Sequence, residues 1–159
     1  MKKIWCITGE SGTGKTSIAD FLSSGYDVKQ IESYTDRDKR TPNETGHTFV
    51  TKEMMDGLYV APDVLAKTTF GDKRYCCLER DLADVNIYVI DEAGIDYLLE
   101  NFANKYQIMT TRVCSKEVDL KSRDVSQERI DRDKGMFTKP HQLNIKRAHR
   151  EYLPLLLAC

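Results

Sequence analysis

Gly9-Glu-Ser-Gly-Thr-Gly-Lys-Thr16 is the stretch that decides how this 159-residue chain folds. The apolar run from Ile4 to Thr8 before it reads as a buried strand. After it, Ile18, Phe21 and Leu22 recur at helical spacing, and Gly25 supplies a stop. The order is therefore strand, glycine-rich loop, helix. Glycines let the backbone curl until successive N–H groups point inward. The helix adds its unpaired first-turn donors and the positive end of its dipole. Lys15 adds a full charge, and Thr16 offers a hydroxyl to a hard cation such as Mg²⁺. This is the complete Walker A pattern, and each charge-assisted bond it makes to phosphate contributes roughly 1.5–3 kcal/mol. Gly9, Glu10, Ser11, Gly12, Thr13, Gly14, Lys15, Thr16 and Ser17 are thus expected to hold the triphosphate of ATP. The alternative is a chance glycine-rich turn before a helix.

Further along, Val85 to Ile90 reads as the clearest buried strand and ends in Asp91. Ile95, Leu98, Leu99 and Phe102 then fall at i, i+3, i+4 and i+7, an amphipathic helix. Asp91 has the position of a Walker B carboxylate that would steady Mg²⁺ together with Thr16; it could equally cap the helix that follows. Glu92 reads as a water-activating base or, preferably, as a helix-start residue favoured by the dipole. Shorter strands are expected over Val28 to Ile31, Lys73 to Leu78 and Tyr106 to Thr110, with a short helix over Lys52 to Leu58. Alternating strands and helices predict an α/β, three-layer P-loop NTPase fold with a mostly parallel sheet, whose ligands sit beyond the carboxyl ends of the strands. Its core would be residues 1–31 and 82–114, with an insertion over about 32–81 and a charged segment over about 115–134. The remainder, 135–159, is expected to be helical in its last part despite Pro140 and Pro154.

The bulk properties exclude some classes. Positive and negative charges nearly cancel, to a net −1, whereas a general duplex-binding surface normally carries a basic excess. No stretch could span a bilayer, and the apolar run at Ile4 is too short for a signal segment. Cys6, Cys76, Cys77, Cys114 and Cys159 are odd in number and lack zinc-ligand spacing, so they read as reduced thiols of a cytoplasmic protein. No nucleic-acid or membrane partner is expected.

Ser33-Tyr-Thr-Asp-Arg-Asp-Lys-Arg40, followed by Glu44-Thr-Gly46, is the second informative element. Guanidinium groups grip phosphate oxygens in pairs, so Arg37 and Arg40 could fix an acceptor phosphate. From composition alone they could also be a solvated loop paired with Asp36 and Asp38. The glycine-rich loop, this arginine run, the Glu44/Gly46 pair before Phe49-Val50, and Ile90-Asp-Glu-Ala-Gly94 resemble, in that order, the guanylate kinases. The resemblance covers about Ile4 to Phe137, strongly in the first half and loosely after Arg112. It implies a core that holds ATP and Mg²⁺, an insertion that binds a nucleoside monophosphate, and a mobile lid. Carried over by position, Ser33, Arg37, Arg40, Glu44 and Tyr75 would serve the monophosphate, with Arg37 catalytic alongside Lys15. Arg123 and Arg129 match the lid arginines loosely. Arginines closing over the transferring group would stabilise the charge on its oxygens.

The departures concern the base. The family's second threonine before the arginine is Asp36 here, and its tyrosine shortly before Phe49 is absent. Its guanine-reading glutamate would fall near Ala66 or Lys67, where no acid stands, and Cys77 replaces a small hydroxyl residue. Phosphate handling is kept while base reading is altered, so GMP or dGMP is only the first expectation. An NTPase or kinase for another small acceptor, and a non-catalytic interaction module on the same fold, stay open.

Overall fold

The computed structural model describes residues 1–115, 120–121 and 124–146. Its main sheet has five strands in the order β2-β7-β1-β8-β9: β1 (Lys3–Thr8), β2 (Lys29–Gln30), β7 (Val85–Val89), β8 (Gln107–Cys114) and β9 (Leu143–Lys146). Every pairing in it is parallel. Parallel strands joined by crossovers are covered on both faces, which is why β1 and β7 read as apolar runs. On one face Ile7, Ile87 and Val113 pack against Ile18, Ala19 and Leu22 of α1 (Lys15–Gly25). On the other, Ile4, Cys6, Tyr88 and Ile108 pack against Ile95 and Leu98 of α3 (Glu92–Phe102).

A second, four-stranded sheet has the order β4-β3-β6-β5. It comprises β3 (Ser33–Thr35), β4 (His47–Phe49), β5 (Val64–Phe70) and β6 (Lys73–Leu78), with α2 (Lys52–Leu58) between β4 and β5. Leu65, Ala66 and Cys77 of this sheet belong to the same apolar cluster as Ile4 and Leu98, so it is docked on the core. Its register places Ser33 opposite His47, Thr35 opposite Phe49 and, across the other edge of β3, Thr35 opposite Tyr75.

Two expectations are modified. The strand expected to end at Thr110 runs on to Cys114. Thr110 and Thr111 are buried, and the Thr111 hydroxyl accepts the Trp5 indole N–H at 2.7 Å, so these residues count as strand interior. Beyond them β9 adds a fifth strand that the charged sequence does not announce. The helix expected near the end of the chain lies outside the described residues, as does Cys159; Cys6, Cys76 and Cys77 are buried thiols in no disulfide. No helix among the described residues is long and apolar enough to cross a membrane.

Candidate active site

The loop after β1 needs its glycines. Gly9, Gly12 and Gly14 have φ of 138°, 77° and 89°, backbone that other residues rarely adopt. A Cβ on Gly9 would lie 2.1 Å from the Val113 carbonyl oxygen. Thr13 is buried and donates its hydroxyl to the Glu10 carbonyl at 2.8 Å, which closes the curl. Gly14 is the N-cap of α1 and no side chain caps that helix, so its first turn presents backbone donors to the loop. Lys15 Nζ donates to the Gly9 and Glu10 carbonyls at 2.7 and 2.8 Å. Burial lowers its pKa to about 8, against the pull of Asp133 and Glu10; the charge of Arg129 adds to the lowering. Thr16 and Ser17 are exposed on the first turn. Outside the loop, Arg112 of β8 holds Glu10 Oε1 at 2.6 Å.

Asp91 follows β7, the neighbour of β1 in the sheet, and therefore stands at the same carboxyl edge as the loop. Its Oδ1 accepts the Gly94 N–H at 2.7 Å as the N-cap of α3. Thr16 and Asp91 are hard oxygen donors, and no group of three or more His, Cys, Asp or Glu among the described residues could hold a metal alone. Hydroxyl and carboxylate oxygens of this kind suit Mg²⁺, which keeps waters and shares phosphate oxygens. Glu92 is buried and accepts from His141 Nε2 at 3.1 Å, with the Lys139 N–H at 3.4 Å. This ties the approach to β9 to the start of α3.

Ser33, the first residue of the arginine run, comes three residues after the end of β2, which lies parallel to β7. Arg37 is buried and grips Glu44 with both prongs of its guanidinium, Nη1 to Oε2 at 3.0 Å and Nη2 to Oε1 at 2.5 Å. The Arg40 backbone N–H donates to the same carboxylate at 2.6 Å, while Arg40 itself is exposed. Arg37 also lies 5.0 Å from the centre of the Phe49 ring and within hydrogen-bonding reach of Tyr75. Its Nε is buried with no partner among the described residues. Ser33 Oγ bonds His47 Nδ1 at 2.8 Å, and the His47 ring is 5.6 Å from that of Tyr75. Ser33, Arg37, Glu44 and Tyr75 thus form one cluster with His47. No motif spacing singles out His47; its place two residues before Phe49, on the same face of β4, is the signal that could have done so. Asp36 pairs with Arg74, through the backbone N–H at 2.8 Å and Nε at 2.7 Å, and not with the arginine run.

Of the positions expected to read a base, Ala66 and Cys77 are closed, and Lys67 is exposed. Leu65, Ala66 and Cys77 are buried in the core, and the Cys77 thiol donates to the Tyr88 hydroxyl at 3.1 Å. Burial pushes this thiol up to about 12, so it is inert. Lys67 lies over the Tyr59 ring at 5.1 Å. An open cleft of about 620 Å³ lies instead between the 36–39 turn and the start of α2, with Lys39, Phe49, Lys52, Met54 and Lys73 in its wall.

Of the charged segment, Arg123 lies outside the described residues. Arg129 is exposed on α4 (Gln127–Asp133). The last residue of that helix, Asp133, is buried against the glycine-rich loop and accepts the Ser11 backbone N–H at 2.7 Å. Asp133 pairs with its neighbour Arg132, whose Nη2 also reaches Ser11 Oγ at 3.1 Å. The charge-dense sequence gave no sign of this contact.

No protein-family model matches the chain, and no curated protein matches it. Among solved structures, guanylate kinase from Anaplasma phagocytophilum superposes with a TM-score of 0.68 at 15% identity, over 98% of this chain and 82% of that one. The chain therefore has the guanylate kinase-like fold. A sugar kinase from a Janibacter species aligns at 12% identity, over 91% of this chain and 84% of that one. Its TM-score of 0.48 is too low to carry an argument.

Proposed function

We propose that the protein is a phosphotransferase that moves the γ-phosphoryl group of ATP to a nucleoside monophosphate. One observation carries this reading. The uncapped N-terminus of α1 with Lys15 follows β1 at the carboxyl edge of the parallel sheet, and the cluster of Arg37, Tyr75, Ser33 and His47 begins at Ser33, three residues after β2 of that sheet ends. The first suits a triphosphate and the second a phosphomonoester. The guanylate kinase-like fold supports the same pairing of sites.

In this reading the loop from Gly9 to Ser17 cradles the ATP phosphates, and Lys15 leaves its loop carbonyls for the β- and γ-phosphates. Arg37 and Arg40 hold the acceptor phosphate, with Ser33, Glu44 and Tyr75 around it. Arg123 and Arg129 stabilise charge on the transferring group. Mg²⁺, held by Thr16 and Asp91 with phosphate oxygens, would neutralise charge on the triphosphate. The attacking oxygen belongs to a phosphate whose second pKa is about 6, so no general base is required near neutral pH. Catalysis then rests on alignment and electrostatic stabilisation. Glu92, engaged by His141, is not offered to a water molecule, which weighs against simple hydrolysis.

GMP and dGMP are the starting acceptors. Because Ala66 and Cys77 are core residues, the acceptor is held chiefly by its phosphate and base discrimination is relaxed. The same observation favours one second reading, a kinase for another small phosphorylated acceptor. The test is ADP production from Mg-ATP with each ribo- and deoxyribonucleoside monophosphate in turn, and with a base-free sugar phosphate. Stimulation by at least one monophosphate is expected. Stimulation by the sugar phosphate alone would establish the second reading, and stimulation by none would defeat both.

A further inference from the structure

Asp133 stands where its surroundings disfavour a carboxylate. It ends α4, where the helix dipole turns its negative pole toward it, and only 5% of the residue is exposed. Its two oxygens are nevertheless satisfied: Oδ2 by the Ser11 backbone N–H at 2.7 Å, Oδ1 by Arg132 Nε at 2.8 Å. Burial pushes its carboxyl upward, but the bonds from Ser11 and Arg132 outweigh this and hold it below the usual carboxylate range.

The same segment meets the loop at a second point. A Cβ on Gly12 would lie 2.2 Å from Cγ2 of Val125, so Val125 rests directly on the loop backbone. Val125 packs in turn with Leu120 and Ile130. The segment is bracketed by Asp124 and Gly135, both left-handed at φ 58° and 77°. Asp124 is the single non-glycine residue with positive φ among the described residues, and such backbone persists only where surrounding contacts impose it.

Ser11 lies in the middle of the loop whose N–H groups suit phosphate oxygens. An N–H committed to a carboxylate is closed to phosphate, and the carboxylate's charge opposes an approaching polyanion. Lys15, too, is engaged by the loop's own carbonyls. We propose that Asp133 is an internal competitor of the triphosphate. It fastens the 124–135 segment to the glycine-rich loop through Ser11, and a triphosphate displaces it, so that donor binding releases α4 from Ser11 and leaves it free to bring Arg129 to the transferring group. The inference rests on the reading of the loop as a triphosphate site and not on the identity of the acceptor.

Two measurements on the full-length protein test this. The first is calorimetric affinity for inorganic tripolyphosphate, with and without Mg²⁺, in the wild type and in Asp133→Asn. The amide has the same shape but no charge, and affinity is expected to rise about ten-fold, the difference between a charge-assisted and a neutral hydrogen bond. General damage to the fold cannot produce a gain. Unchanged or weaker binding in the variant, while the wild type binds, overturns the competitor role alone. Weakening confined to the Mg²⁺ arm would instead make Asp133 a metal-side residue. If neither protein binds tripolyphosphate, the triphosphate reading of the loop falls as well. The second measurement uses the wild type only: backbone hydrogen exchange over 127–133 should speed up on saturation with tripolyphosphate. Slower or unchanged exchange there contradicts the proposal.

Discussion

Arg37 and Glu44 are joined by a two-pronged ion pair of 3.0 and 2.5 Å, on a turn where the arginine is buried and the carboxylate partly exposed. A guanidinium that fits a carboxylate in this way also fits a phosphate. Glu44 therefore fixes the orientation of the group proposed to receive the acceptor. The Arg37 fork, with the Arg40 N–H behind it, keeps the Glu44 carboxyl at about 2. A carboxyl lowered in the folded state contributes stability above its unfolded value of about 4.5 and loses it as pH falls toward 2. The thermal midpoint of the wild type should fall over that window, and Glu44→Gln should flatten this part of the profile. A profile identical in both proteins would mean that the pair does not form in solution.

Lys15 gives the opposite dependence. Burial holds it near 8 in the protein, and phosphate beside it would raise that value. Binding of ATP should therefore take up a proton around pH 8 and weaken as pH rises further. Lys15→Ala should bind weakly without this pH dependence, and its turnover should fall by roughly 10²–10³, the scale of losing a major electrostatic stabiliser. Calorimetry in buffers of different ionisation enthalpy reads the proton directly.

Gly9→Ala should unfold at lower urea than the wild type. The positive φ alone costs about 1–3 kcal/mol, and the new Cβ meets the backbone carbonyl of Val113, which cannot swing aside as a side chain can. The expected loss is at least about 2 kcal/mol. A loss within experimental error would show that the loop and β8 separate easily.

Asp36 and Arg74 should behave as a unit. The Asp36 carboxylate takes two bonds from Arg74, which also reaches Asp56 and the Lys52 carbonyl. A double-mutant cycle of Asp36→Ala and Arg74→Ala should give a coupling of about 1–3 kcal/mol in urea unfolding. Additive effects would make the pair incidental to the second sheet.

The sequence was legible where chemistry and periodicity coincided. The apolar run at Ile4, the glycines that follow and the helical spacing of Ile18 and Leu22 placed β1, the loop and α1, and Val85 to Ile90 placed β7. The short strands β3 and β4 were not legible, because three residues are too few to show an alternation. The extension of β8 was hidden by Thr110 and Thr111, which read as polar but lie buried. His47 and Asp133 were missed for another reason. Their partners are Ser33, 14 residues away, and the Ser11 backbone, 122 residues away, and only the folded chain brings them together.

Arg37→Ala should raise the apparent KM of the acceptor far more than that of ATP, since it would remove one of the two guanidinium groups assigned to the acceptor phosphate. Equal effects on both substrates, read from initial rates, would place Arg37 elsewhere in the mechanism.

The most direct test of the account follows the phosphoryl group itself. Mg-ATP labelled at the γ-position is incubated with the protein and a panel of nucleoside monophosphates, and the products are separated. Label recovered in a nucleoside diphosphate, and lost in Lys15→Ala, is the predicted result. Label recovered only in inorganic phosphate, or left in ATP with every acceptor, would contradict it.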